Sequence, residues 1–405
     1  MACHTFMLAR ERHPTVVTRT KRNPWLAAGL LGLLVIGAAT LPSMGWTCGL
    51  AALLGLAGVV VLHGNRWRSG ALLLGALAIS IGLLNALAGW LAPAAHGAGL
   101  VATMEPREWT VADPDLGYRP RPGIKIVNTS RFGPDTIFRV TYTINDDSTR
   151  ATPPAPTGAD TYLFLGDSFM FGHGLDDDET LPAAFAKAND FNVRTVNFSA
   201  PGYGPNQLVR ALEIGMLDHL VGQRIKAVVT WIIPDHLRRI TGDGPWLGAS
   251  PRYVLDDGAP RYTGSFDSYR WSDPLAGLRH LADQEFAFVR AIGLKQRQER
   301  QAELFTALMV RLQTLAKEKF GAPLVVVYSW PDESSGANHD NSDVAQPLLV
   351  SILAELRRHG MPMISVDDLE AGHDQSRLLI PHDGHPTALA DQLIAAELKR
   401  RLAGP

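Results

Sequence analysis

The chain has 405 residues, 46% of them hydrophobic and 19% charged, with a formal net charge of -2. That balance is not basic enough to point to nucleic acid and not polar enough to leave the chain disordered, and the length allows a sizeable buried core. The two cysteines, Cys3 and Cys48, both precede the region read below as the folded domain, so no disulfide framework or cysteine metal site is expected there, and no nucleotide cofactor is expected because the Gly-rich loops lack a phosphate-binding lysine or the dinucleotide spacing.

Residues 1–24 are basic, with Arg10, Arg12, Arg19, Lys21 and Arg22 ahead of a long apolar region at 25–93. That region breaks into Trp25 to Leu41, Thr47 to Leu62 and Ala71 to Leu91, and apolar stretches of about 17–25 residues can cross a bilayer as helices. Trp25, Trp46 and Trp90 fall where interfacial aromatics are expected. The first segment also reads as a signal peptide, and the second is short enough for a re-entrant hairpin, but the three in succession favour a retained bundle of about three spans. Arg66 and Arg68 fill the loop before the third segment, whereas Pro42-Ser43-Met44-Gly45 is uncharged, so the N-terminus and that second loop should be cytoplasmic. Three spans place the rest of the chain outside an inner membrane, on the periplasmic side; two spans would leave it in the cytoplasm.

Residues 94–156 read as a linker and a small β-rich accessory region. Gly117 to Gly123 is turn-rich, Thr136 to Ile144 alternates as a strand does, and Pro153-Pro154-Ala155-Pro156 is a stiff connector. Residues 157–405 alternate strand and helix, the pattern of a parallel sheet covered on both faces. Strands are expected at Thr161–Leu165, Val193–Phe198, Ala227–Ile233, Pro323–Tyr328 and Pro362–Val366. Helices are expected at Leu181–Asn189, Asn206–Leu217, Glu299–Phe320, Val344–His359 and Pro386–Leu402. The stretch from Gly242 to about His280 has no clear period and reads as an insertion over the active-site edge.

The strand run Thr161–Leu165 ends in Gly166-Asp167-Ser168, which puts Ser168 just past the carboxyl edge of the sheet, where open α/β sheets form their ligand crevices. A lone Gly-Asp-Ser is more often a polar turn than a nucleophile. Far downstream, however, Pro381-His382-Asp383-Gly384-His385-Pro386 offers an imidazole to take the serine proton and a carboxylate to orient it. His382 and His385, three apart, also read as metal ligands, but no third ligand clusters with them in sequence and the catalytic reading is preferred. The acidic run Asp176-Asp177-Asp178-Glu179 reads less as a calcium site than as support for a helix start, with Asp178 or Thr180 as the cap.

Together these motifs resemble the SGNH (GDSL-type) hydrolase superfamily, from about Tyr162 to the end of the chain. The resemblance extends to Phe171-Gly172-His173-Gly174-Leu175 and to Asn197-Phe198-Ser199-Ala200-Pro201-Gly202-Tyr203-Gly204, where the family carries its second, glycine-bearing block. It implies a flavodoxin-like three-layer α/β sandwich, a Ser168–His385–Asp383 triad with His382 as reserve base, and an oxyanion hole of the Ser168 and Gly202 amides. The family's further donor is an asparagine where this chain has Pro234, which leaves Asn206 or His236 to take its place. The Asp is also two residues before the His, in place of the family's commoner three. The activity implied is that of a membrane-anchored serine esterase or O-acyltransferase on acyl, above all acetyl, esters of cell-envelope or exported glycans, with a membrane-bound acyltransferase as a further partner. The rival reading is a non-catalytic glycan-binding or acyltransferase-docking module.

Overall fold

The computed structural model of the chain describes residues 55, 58, 62, 64–91, 99–273, 275, 277, 294–329 and 346–402. The chain divides into two compact units, Met1–Ala92 with Ala282–Arg290, and Pro93–Leu281 with Ala291–Pro405.

In the first unit a 27-residue helix, α1 (Asn65–Leu91), covers the third apolar segment. Arg66 and Arg68, expected in a loop, lie in its first turn, and Leu72, Leu73, Leu74 and Leu77 are exposed. Among the described residues no helix is long and apolar enough to cross a membrane. The first two expected spans fall almost wholly outside the described residues.

The second unit opens with five strands: β1 (Leu100–Glu105), β2 (Thr110–Asp113), β3 (Gly117–Pro120), β4 (Lys125–Phe132) and β5 (Asp135–Thr143). The accessory region is thus an antiparallel sheet of order β1-β4-β5 with a separate β2-β3 hairpin, and part of the expected Gly117–Gly123 turn is strand. Alternation along β4 and β5 sends Ile126, Phe138, Val140 and Tyr142 to one face, where they pack with Phe171 and Ile380. These two contacts come from the segments that carry Ser168 and His385.

The main sheet contains β6 (Asp160–Gly166), β7 (Val193–Ser199), β8 (Ile225–Ile232), β11 (Leu324–Tyr328) and β12 (Met363–Ser365), all parallel, in the order β12-β11-β8-β6-β7. Counted along the chain this is the doubly wound order 2-1-3-4-5, whose switch point lies between β6 and β8. Each strand is buried on both faces, which explains the unbroken apolar runs: in β6, Leu163 and Leu165 join one core and Tyr162 and Phe164 the other. The first core is covered by α4 (Pro205–Glu213), α7 (Leu294–Phe320) and α8 (Gln346–Arg358), the second by α3 (Leu181–Ala188) and α10 (Ala388–Leu402). Three layers result, as the resemblance implied.

Two local expectations are corrected. The last helix starts at Ala388, because Pro386 is held back in a bridge with Leu379. Part of the stretch after Gly242 is regular: β9 (Pro251–Asp256) and β10 (Ala259–Ser265) form a hairpin, followed by α6 (Phe266–Ser272). Asp257 and Gly258 at its tip both have positive φ, 49° and 78°, the geometry of a two-residue turn whose twist matches paired strands. The hairpin packs on α4, with Tyr253 Oη donating to Glu213 Oε2 at 2.6 Å, so it does not cover the active-site edge.

Candidate active site

Strand β6 runs directly into α2 (Ser168–Phe171), and a Cβ at Gly166 would lie 2.4 Å from Met170 Cβ, so only glycine permits this tight strand-to-helix turn. Asp167 caps the helix, its Oδ1 accepting from the Phe169 amide at 3.0 Å. The turn leaves Ser168 7% exposed at the carboxyl edge, beside the switch point.

His385 and Asp383 arrive on the loop before α10. The Asp383 side chain accepts from the His385 amide at 3.3 Å, a local turn made possible by Gly384 at φ 84°. This turn absorbs the short Asp-Gly-His spacing: His385 Nδ1 lies 2.5 Å from Asp383 Oδ1, and His385 Nε2 lies 2.8 Å from Ser168 Oγ. Burial pushes the Asp383 carboxyl up, but the hydrogen bond and charge of His385 outweigh it and hold the group below its ordinary value. An ionised carboxylate only accepts, so His385 Nδ1 carries the proton and Nε2 turns its lone pair to the serine hydroxyl. His382 stands apart: it is exposed, at φ 63°, and its ring stacks on Phe132 at 3.9 Å.

Gly202 follows β7, at φ 87°. A Cβ there would meet Tyr118 Oη at 2.6 Å and Trp246 Nε1 at 2.7 Å. Neither the Ser168 nor the Gly202 amide donates to an acceptor among the described residues. Trp246, 43% exposed, donates to the Gly202 carbonyl at 3.3 Å and is the part of the long insertion that reaches this rim.

The replacements foreseen for the asparagine donor are engaged elsewhere. Asn206 is fully buried and its amide donates to the Pro251 carbonyl at 2.8 Å, so it ties α4 to the hairpin and does not open toward Ser168. His236, in α5 (His236–Arg239), places Nε2 3.1 Å from Asp167 Oδ2. Pro234 contributes a wall to an apolar cavity shared with Phe169, Trp231, Ile233, Leu379 and Pro386.

Two further side chains complete the site. Arg239 Nη1 donates to Asp167 Oδ2 at 2.7 Å and to the Tyr203 carbonyl at 2.8 Å, while its Nε donates to Asp235 Oδ2 at 2.7 Å. Burial alone would raise the Asp167 carboxyl, but the charges and hydrogen bonds of His236 and Arg239 outweigh it and hold Asp167 far below the usual range. The second is His173, visible in the sequence only as part of a glycine-flanked block. Its Nε2 lies 3.8 Å from Asp383 Oδ2, and its ring is 4.6 Å from that of His385. Burial first, and the neighbouring His385 second, lower this imidazole to about 3, so it is neutral at ordinary pH.

The His173 loop is held by Arg150, fully buried, which donates to the carbonyls of Phe171, Gly172 and Leu175 at 2.5–2.6 Å. The acidic run has a different role from the one expected. Thr180 caps α3, but Asp176 and Asp177 accept from the amides of Thr141 and Thr143, at 2.7 and 3.1 Å, and so fasten β5 to the Ser168 side of the site.

No family model matches the chain, and no curated protein matches it. Among solved structures, the chain is similar to a member of the lipolytic protein G-D-S-L family from Veillonella parvula, with 13% identity over 60% of this chain and 97% of that one and a TM-score of 0.34. It is similar to the lipase/acylhydrolase from Enterococcus faecalis, with 13% identity over 60% of this chain and 96% of that one and a TM-score of 0.33. An alpha/beta hydrolase enzyme from the metagenome of Lake Arreo, Spain, aligns at 12% identity over 62% of this chain and 97% of that one, with a TM-score of 0.36.

Proposed function

We propose that the chain is a serine ester hydrolase with Ser168 as nucleophile. The observation that carries this reading is the unbroken line of hydrogen bonds from Asp383 through His385 to Ser168 Oγ, at 2.5 and 2.8 Å. In the reaction, Ser168 Oγ attacks an ester carbonyl carbon as its proton passes to His385 Nε2, and Asp383 stabilises the imidazolium that forms. The amides of Ser168 and Gly202 stabilise the oxyanion. Collapse expels the alcohol, which takes the proton from His385, and a water attacking by the same route frees the acid and the serine. Pro234 donates nothing, so the hole rests on these backbone donors.

Our reading of the substrate is an acyl ester, most simply an acetyl ester, of a cell-envelope or exported glycan. Trp246 supports it: a half-exposed indole beside the Gly202 loop offers a flat apolar face of the kind a sugar ring can cover. The basic and apolar patterning of residues 1–93 supports an inner-membrane anchor with the catalytic unit on the periplasmic side. A glycan hydroxyl in place of that water would turn the same groups to O-acetyl transfer, with a membrane-bound acyltransferase as donor partner.

A serine-directed fluorophosphonate should label the full chain and fail to label Ser168→Ala, and p-nitrophenyl acetate turnover should be lost in parallel. A well-folded wild type that neither labels nor turns over would instead favour the non-catalytic binder, whose supporting observation is Pro234 in the place of a donor. Acetyl appearing on an added oligosaccharide, rather than only as free acetate, separates transferase from esterase.

A further inference from the structure

His173 is a partly buried imidazole without a hydrogen bond at either nitrogen among the described residues. Nδ1 is enclosed with no partner, and Nε2 stands 3.8 Å from Asp383 Oδ2, beyond hydrogen-bonding range. Its position is nevertheless fixed. Arg150 grips the carbonyls on both sides of the loop, the Gly174 amide donates to Tyr142 Oη at 2.9 Å, and the ring stands edge-on to Phe138. One nitrogen of His173, one of His385 and one oxygen of Asp383 lie within 4.8 Å of one another. The pair His382 and His385 lacks a third ligand in sequence, but His173 supplies one from more than two hundred positions away, while His382 is turned onto Phe132.

Resting on the hydrolase reading, we infer that His173, Asp383 and His385 form a binding site for one divalent zinc ion, and that zinc bound there switches the enzyme off. Two ligands on one zinc, with bonds of about 2.0–2.1 Å at a tetrahedral angle, sit roughly 3.3–3.4 Å apart, so the long His173–Asp383 gap suits an intervening ion better than a hydrogen bond. Two imidazoles and one carboxylate with a fourth position open is a zinc-type donor set, whereas magnesium and calcium call for oxygen ligands throughout.

The inhibitory effect follows from the chemistry of His385, which needs Nδ1–H for Asp383 and the Nε2 lone pair for the serine proton. Zinc on Nδ1 displaces the ring proton to Nε2, and zinc on Nε2 takes the lone pair itself. Either way the base is lost and Asp383 is diverted to the ion, with at most a proton moved between the ring nitrogens and no change of oxidation state.

The test is titration of the full chain with zinc chloride by calorimetry and with cobalt(II) by visible absorption, in wild type and in Ser168→Ala, which keeps all three ligands without turnover. One ion per chain is expected in both, with affinity at least about tenfold weaker when His173→Gln is added. In the wild type, p-nitrophenyl acetate turnover should fall in step with occupancy and return with EDTA. Should His173→Gln not fold, His173→Cys should hold cobalt with a sulfur-to-metal charge-transfer band that the wild type lacks. The inference is overturned by any of three results: Ser168→Ala takes up no stoichiometric ion, His173 substitution leaves affinity unchanged without a new band, or an active wild type keeps turning over when loaded. A wild type that hydrolyses nothing, while Ser168→Ala binds one ion through His173, supports the metal site and removes only the hydrolase reading.

Discussion

Arg239 binds the two loops whose amides face the proposed oxyanion. One nitrogen of its guanidinium reaches the Asp167 carboxylate, next to Ser168, and the Tyr203 carbonyl, next to Gly202, so the spacing of the two donors is set by a single planar group. Replacement by Gln leaves Asp167 short of a buried partner and should cost about 3 kcal/mol in denaturant melts. Loosening of the donors should lower kcat for p-nitrophenyl acetate by roughly a hundredfold with KM little moved. Lys should not restore the rate, since a point charge cannot hold both acceptors in this geometry. Beside the Gly202 loop, Trp246→Ala should raise KM for an acetylated oligosaccharide more than for p-nitrophenyl acetate, as read from initial rates.

At the scale of elements, two glycines with nearly the same backbone angle should behave differently. Gly258, at φ 78° in the β9–β10 turn, has nothing within 4 Å of the place a Cβ would occupy, so Gly258→Ala should cost about 1 kcal/mol of backbone strain and leave turnover intact. Gly202→Ala carries at least the same strain and drives a methyl into Tyr118 Oη and Trp246, and the displaced amide should also lower turnover by at least about tenfold. Thermal melts alongside esterase rates on both variants check the contrast.

The elements also show what a local pattern can carry. The five parallel strands are readable because both faces are buried, which gives unbroken apolar runs such as Leu163-Phe164-Leu165. The β9–β10 hairpin was also signalled, by Asp257-Gly258, but its strands are short and mixed in polarity and give no period. Asp176 and Asp177 look like helix-start charges in sequence, because nothing local shows that the amides of β5 lie opposite them. His173, Arg239 and Arg150 act across distances in the chain where neither periodicity nor spacing carries information. Ser168 and His385, 217 positions apart, are coupled in sequence only through their motifs, and the structure sets their side chains 2.8 Å apart.

For the molecule as a whole, two buried carboxyls set opposite pH trends in stability. The Asp167 pKa is depressed by folding, so its stabilising contribution is complete above its unfolded value of about 4 and is lost as pH falls. Asp167→Asn should therefore be less stable than wild type at pH 7 and show a flatter acid limb. Glu370 is the reverse case: burial and the nearby Asp367 push it up to about 7. The folded state holds this proton more tightly than the unfolded one, so stability declines as pH rises from about 4.5 through 7. Glu370→Gln should melt higher than wild type at pH 8 and alike at pH 4, a comparison that thermal melts at the two values decide.

The grip of Arg150 on the carbonyls around His173, and the packing of Phe171 and Ile380 against the accessory sheet, set a limit on how this protein can be cut. An excised fragment that starts at residue 157, where sequence alone would draw the boundary, would lose the cation that organises the His173 loop and bare an apolar floor beneath the segments that carry Ser168 and His385. A fragment that starts at residue 99 keeps them. The shorter piece should bind a hydrophobic dye and lack esterase activity under conditions in which the longer one works, an outcome that would make the antiparallel strands part of the foundation of the proposed site and not a dispensable spacer.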